Sequence, residues 1–326
     1  MLSASSRWHR RCSPFLPVHR VVQIIVTPGS GEGRAMTIAR RLQDLLRERG
    51  DDTAVRTYKS LGALGRWAKT CDRDFTHLVC VGGDATQSAA AAAAVRLSVP
   101  FLPVPSGFGN IFARAFGHPD RVEEVADLLD QGELQRVDVG MVDDEDIFLS
   151  HRSYGVLQRI QETVEDKRAQ PRSRVARYLA YCGMFRRFLG NARPSSLAVE
   201  VDGRLVAEGA GLVTVANVET YRGFLSLTPR ASPIDGLFDV FVVPRASKLR
   251  LGARLFWLLL KTPGRWNGLV LCEGRRVVVS ENGRREALRA LRHALPLLVP
   301  PGGSERLAQR TRERGAPVGS AVAGAS

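Results

Sequence analysis

Three times within about 100 residues, a short apolar run leads into a glycine-rich turn and then into a segment of helical periodicity. Val21–Val26 (VVQIIV) is a continuous, largely β-branched run, the pattern of a strand buried on both faces. It opens into TPGSGEG at 27–33, and residues 35–49 then carry apolar side chains at helical spacing up to Gly50, a helix-stop signal. THLVCVGGDAT at 76–86 repeats the scheme ahead of the alanine-rich Ser88–Arg96, and PFLPVPSGFGN at 100–110 repeats it ahead of a helix near Ile111–Phe116. Between the first two units, AVRTYK at 54–59 reads as a strand and residues 61–69 as a helix. Such alternation predicts an α/β fold with a doubly wound parallel sheet. Ligands of these sheets sit beyond the carboxyl ends of the strands, which is where all three glycine turns fall. With no Cβ in the way, a glycine turn can bring backbone N–H groups against phosphate. None of the three carries the Gly-Lys-Ser/Thr ending of a P-loop or a good GxGxxG pattern.

The pattern changes after about residue 137. Residues 195–218 hold two β-rich runs around Asp202-Gly203, a hairpin signal. GLFDVFVV at 236–243 and RRVVVS at 275–280 add strands, and 156–190 contain helical material. The second half therefore reads as a mainly β domain of sandwich type. A length of 326 residues fits two domains at roughly 150 residues each. The expected division is a flexible tail at 1–19, an α/β domain at 20–137 completed by about 290–300, a β-rich domain at 138–289, and a disordered tail at 303–326.

Charge and cysteine content narrow the function classes. A net charge of +14 favours anionic partners such as nucleotide phosphates or an acidic membrane face. Only five of the 47 cationic residues are Lys, so a bias in base composition explains the same excess. No nucleic-acid-binding motif accompanies the charge. The five cysteines (Cys12, Cys71, Cys80, Cys182, Cys272) form no CxxC pair, which argues against a disulfide framework or zinc site and for a cytoplasmic setting. The longest strongly apolar run, Leu255–Leu260, is far short of the roughly 20 residues of a membrane span. Residues 249–266 are apolar with flanking Arg and Lys and with Trp257 and Trp266. They suit either a membrane interface on the inner face or an amphipathic helix packed on the β domain. The basic stretch around Arg172, Arg174, Arg177 and RRFLGNAR suits anionic lipid or a solvated face equally. A serine-hydrolase elbow is missing, and His151 stands alone near the expected inter-domain cleft.

In order and context, TPGSG (27–31), GGDAT (82–86) and SGFGNIFAR (106–114) resemble the Asn-Pro-x-Ser-Gly, Gly-Gly-Asp-Gly-Thr and Gly-Thr-Gly-Asn-Asp-Phe-Ala-Arg segments of the bacterial diacylglycerol kinase family of lipid kinases, with sphingosine kinases as relatives. VDVG (137–140), the stretch 215–243 and ALPLLVPPG (294–302) continue the resemblance, which covers about residues 20–302. It implies ATP bound on the first domain and transfer of its γ-phosphoryl group to a lipid hydroxyl at an anionic membrane surface. Thr27, Ser30, Gly31, Thr57, Gly82, Gly83, Asp84, Thr86, Gly107, Gly109 and Asn110 would surround the nucleotide. Asp84 and Asp138 would hold Mg²⁺ through water, and Asp235 a second, structural metal. Asp235 reads equally as a turn residue before Gly236.

The departures bear on activity. Thr27 replaces Asn, Ala85 a glycine, Phe108 an ATP-contacting Thr, and Ile111 an Asp of the metal–water network. The family's Asp-Gly-Glu, which supplies the general base, is matched best by Asn282-Gly283-Arg284, neither polar member of which is a usual proton acceptor. Glu281 and Glu286 are the candidate catalytic carboxylates nearby. Three functions follow: a lipid kinase, a nucleotide- or lipid-binding protein without turnover, and a kinase of a soluble metabolite as in NAD kinases.

Overall fold

The computed structural model describes residues 20–27, 33–107, 109–155, 196–219, 221–222, 225–226, 228, 230–244 and 270–313. Ser30, Gly31, Phe108, the basic stretch at 172–193, the apolar stretch at 249–266 and both expected tails other than 303–313 lie outside the described residues.

The first domain alternates strand and helix: β1 (Val21–Val26), α1 (Arg34–Glu48), β2 (Asp52–Thr57), α2 (Leu61–Thr70), β3 (His77–Gly82), α3 (Asp84–Leu97), β4 (Phe101–Pro105), α4 (Ile111–Ala115) and α5 (Val122–Gln131). β1 pairs in parallel with β2 (Ile24↔Val55) and β3 (Ile24↔Val79), and β3 pairs in parallel with β4 (Val81↔Val104). The period-2 geometry of a strand sends alternate residues to opposite faces. Ile24, Val26, Val79, Val81, Leu102 and Val104 pack against α1 and α5, while Ile25, Leu78, Cys80 and Phe101 pack against α2 and α3. Both faces are thus covered, which is why these strands read as continuous apolar runs. On α1 the buried positions are Ala35, Ala39, Leu42 and Leu46, a single stripe at helical spacing. Each buried leucine there contributes about 1.5–3 kcal/mol.

β5 (Glu133–Val142) leaves this layer and carries the chain into β6 (Asp146–Phe148), β7 (His151–Gly155), β8 (Leu197–Val201), β9 (Arg204–Ala216), the short pair β10 (Tyr221–Arg222) and β11 (Leu225–Ser226), β12 (Phe238–Pro244), β13 (Val270–Gly274), β14 (Arg276–Glu281) and β15 (Arg284–Val299). The β-rich domain has its own core, with Leu197, Val199, Val213, Phe238, Val240, Val277 and Leu288 at its centre. The turns Asp202-Gly203 and Asn282-Gly283 have φ of 49° and 79°, and of 50° and 80°. Two consecutive positive φ values are what a two-residue hairpin needs to match strand twist, so the Asp-Gly and Asn-Gly pairs follow from geometry.

β15 joins the two domains. Its first part pairs with β14, its later part runs antiparallel to β5, and Leu297 meets Phe101 of β4 in parallel. The expected boundaries at 137/138 and about 290 therefore fall inside β5 and β15 rather than in linkers. The chain then forms α6 (Gly303–Glu313), where the composition suggests a disordered tail. This helix places Glu305 in its first turn and Arg310 and Arg312 in its last, favourable ends for its dipole.

Candidate active site

Four strand ends share one edge of the parallel sheet: Thr27 after β1, Thr57 closing β2, Gly82-Gly83 after β3, and Ser106-Gly107 after β4. Parallel register puts them there, since Val26 pairs with Thr57 and with Val81, and Gly82 with Pro105. The turns after β3 and β4 touch backbone to backbone. A Cβ on Gly107 would lie 2.6 Å from Gly83 Cα, and the Ser106 N–H donates to the Gly82 carbonyl at 3.2 Å. The second turn is internally braced: Asn110 Oδ1 accepts from Gly107 N–H at 3.0 Å and Asn110 Nδ2 donates to the Gly107 carbonyl at 2.7 Å. Asn110 sits at φ 48°, a left-handed position that asparagine tolerates.

Asp84 opens α3, and its Oδ1 accepts the Phe112 N–H at 3.2 Å. Its Oδ2 lies where a Cβ on Gly109 would come within 2.6 Å, so glycine at 109 makes room for the carboxylate. Gly82 has a different reason: a Cβ there would lie 2.7 Å from Thr86 Cβ. Thr86 itself is buried and accepts from Thr27 Oγ1 at 3.1 Å, so its side chain ties β1 to α3. Gln87, fully buried, donates to the Gly82 carbonyl at 3.0 Å and braces the turn from below; nothing in its sequence context signals this. Ala85 is helical, exposed and free of positive φ, so the replacement of glycine there carries no backbone strain.

Asp138 lies in the interior between the two domains' strands. The resemblance implies Mg²⁺ held there through water, yet the side chain is completely buried and both oxygens take backbone amides, Gly236 N–H and His293 N–H, each at 2.6 Å. Burial raises its pKa above the usual carboxylate value, and those two amides oppose the rise. The Asp138 N–H donates to Pro233 O at 2.7 Å, and Asn217 Nδ2 bridges the carbonyls of Asp138 and Leu149 at 2.8 and 2.9 Å. Asp138 is thus a staple of β5, β15 and the 233–237 loop. Asp235 accepts the Leu237 N–H at 2.9 Å, the turn geometry its sequence also suggested. Among the described residues, no three His, Cys, Asp or Glu gather as a metal cluster.

Asn282, Gly283 and Arg284 form the tip of the β14–β15 hairpin. Glu281 is half-buried at the end of β14. Glu286 Oε1 accepts from Arg152 Nε at 3.0 Å and from Tyr154 OH at 2.7 Å. Burial, together with the facing Glu286 carboxylate, pushes the Tyr154 hydroxyl far above its ordinary value. His151 opens β7 opposite Ala216. Ile111 belongs to the apolar cluster with Phe112 and Phe116, so the position where a metal-network carboxylate is implied is here a core position.

The model of the diacylglycerol kinase catalytic domain matches residues 21–142, and that of the YegS C-terminal NAD kinase beta sandwich-like domain matches residues 152–291. The two matches fall in tandem on the two halves of the fold. The chain belongs to the diacylglycerol kinase family. It is 28% identical to the diacylglycerol kinase of Bacillus subtilis (strain 168) over 69% of this chain and 74% of that protein. It is 26% identical to the diacylglycerol kinase of Mycobacterium tuberculosis (strain ATCC 25618 / H37Rv) over 74% of this chain and 78% of that protein. A diacylglycerol kinase crystal structure from Bacillus anthracis str. Sterne shares the fold, with a TM-score of 0.64 at 19% identity over 87% of this chain and 98% of that one. In this chain the turns at Gly82–Asp84 and Gly107–Asn110 form a joined pair of loops, and Asn282 to Arg284 close the β14–β15 hairpin. No helix among the described residues is long and apolar enough to cross a membrane.

Proposed function

We propose that the protein transfers the γ-phosphoryl group of ATP to a lipid hydroxyl. The observation that carries this reading is the side-chain-free junction of the two glycine turns, where any Cβ on Gly107 would strike Gly83. A cradle of this kind fits phosphate, because backbone N–H groups can approach it without steric cost. The start of α3, which no side chain caps, lies on the same edge, and a helix N-terminus suits an anion. Asp84 is the residue that fits Mg²⁺, a cation that binds few carboxylates and shares its remaining positions with water and phosphate. The metal would supply charge neutralisation; Phe112 N–H and the space left by Gly109 orient the Asp84 carboxylate for it.

Phosphoryl transfer depends mainly on positioning and charge stabilisation, and its loose transition state asks little of a base. Asn282 and Arg284 cannot take the acceptor proton, and Glu286 is engaged by Arg152 and Tyr154. Turnover without a positioned base is slower by about 10²–10⁴. The net charge of +14 supports approach of the protein to an anionic lipid surface. Labelled ATP incubated with dioctanoylglycerol in mixed micelles tests the reading: label moves to lipid with wild type and not with Asp84→Ala. The engagement of Glu286 and the apolar setting of Ile111 favour a second reading, a family member that binds nucleotide without turning it over. Saturable ATP binding with no label transferred to any lipid hydroxyl would establish that second reading and overturn the first.

A further inference from the structure

A cavity of about 340 Å³ lies where α4, the loops at Val218–Glu219 and Ala231–Pro233, and α6 meet. Its walls are of two kinds. Ile111, Phe116, Val218 and Leu307 give it an apolar side. Arg114 from α4 and Arg306 and Arg310, one turn apart on α6, give it a cationic side, against a single lining carboxylate, Glu219. Three guanidinium groups from two elements separated by nearly 200 residues thus converge on one space.

The helix that carries two of them is fixed. Glu133 accepts the N–H groups of Gly302 and Ser304 at 2.7 and 3.4 Å, and Ser232 Oγ lies 2.7 Å from Thr311 Oγ1. Arg306 donates to the Pro301 carbonyl at 3.2 Å, and Glu133 also lies near it. Among the described residues, neither Arg114 nor Arg310 has an ion pair. A preorganised group of three arginines, more than the one lining carboxylate can match, is suited to a phosphate, which takes several charge-assisted hydrogen bonds at once. The volume is that of a small-molecule site rather than of a lone ion, and inorganic phosphate would leave the apolar wall uncovered.

We infer that this cavity binds a phosphate monoester borne on an apolar body, its head against Arg114, Arg306 and Arg310 and its body against Ile111, Phe116 and Leu307. None of Thr27, Thr57, Gly83, Asp84, Gly107 or Gly109 lines the cavity, so the site is distinct from the glycine-turn edge. The product of the proposed transfer belongs to this chemical class, but the inference does not rest on that reading.

Calorimetric titration with dihexanoyl phosphatidate, kept below its micellar concentration, tests it, with glycerol 3-phosphate and inorganic phosphate as parallel arms. Wild type and Asp84→Ala bind the phosphatidate alike. The double variant Arg306→Ala/Arg310→Ala binds it at least tenfold more weakly with an unchanged melting temperature, and Arg114→Ala weakens it on its own. Both free phosphates bind at least tenfold more weakly than the lipid. Equal affinity of wild type and the double variant, no binding by wild type, or free phosphate binding as tightly as phosphatidate would each overturn the inference.

Discussion

His118 stands between two carbonyls, Leu298 O at 2.7 Å from Nε2 and Ala113 O at 3.2 Å from Nδ1, and is 7% exposed. Burial pushes its pKa down from 6.5 to about 4, although both carbonyls favour the protonated ring. In the unfolded chain the ring gains its proton near 6.5, so between pH 6.5 and 4 the unfolded state holds more protons than the folded one. Stability therefore falls as pH drops through that window, by up to about 3 kcal/mol from this group. Urea unfolding of wild type and His118→Gln at pH 7 and pH 4.5 reads this: the wild type loses more stability between the two than the variant, and parallel losses would exclude the ring as the cause. Gly107 is decisive in another way. Alanine there forces two backbones apart, and Mg·ATP affinity is expected to fall at least tenfold in calorimetry. That Gly107 matters was legible from its place after a strand; what its Cβ would strike was not, because Gly83 is 24 residues away in sequence. Asp138 was legible as important, while its partners Gly236 and His293 were not, since they are supplied by the β-rich domain and by a bend in β15.

Elements with a strong local signal were read correctly from sequence. β1, β3 and β4 are apolar on both faces, and Asp202-Gly203 is a hairpin turn for the stated steric reason. α6 was not legible, because its charged, alanine-containing sequence has no buried stripe and its order comes from Glu133 and Ser232. β15 was legible only at its apolar end, since its first half (RREALRAL) mixes arginine and glutamate with alanine and leucine in no strand-like alternation. The β14–β15 hairpin carries the prediction at this scale. Asp and Asn both tolerate left-handed φ, so Asn282→Asp/Arg284→Glu keeps the turn. Restoring the family's acidic pair there is expected to raise label transfer to dioctanoylglycerol by about 10²–10⁴ with little change in melting temperature. An unchanged rate with the fold intact would show that this hairpin does not serve the acceptor hydroxyl.

Among the described residues, β15 joins both domains in one 13-stranded sheet, pairing with β14 in one domain and with β5 and β4 in the other. The bend between Leu291 and Leu295, with His293 at φ 51°, lies opposite Asp138, whose carboxylate receives the His293 N–H. The same buried residue thereby ties β5, the bend of β15 and the 233–237 loop together. A working nucleotide site is what this architecture is taken to serve. Titration of Mg·ATP into wild type and Asp84→Ala by calorimetry tests that most directly. Binding in the micromolar to low-millimolar range by wild type, lost in Asp84→Ala, is the predicted result; no heat at millimolar ATP, or equal binding by both proteins, would contradict it.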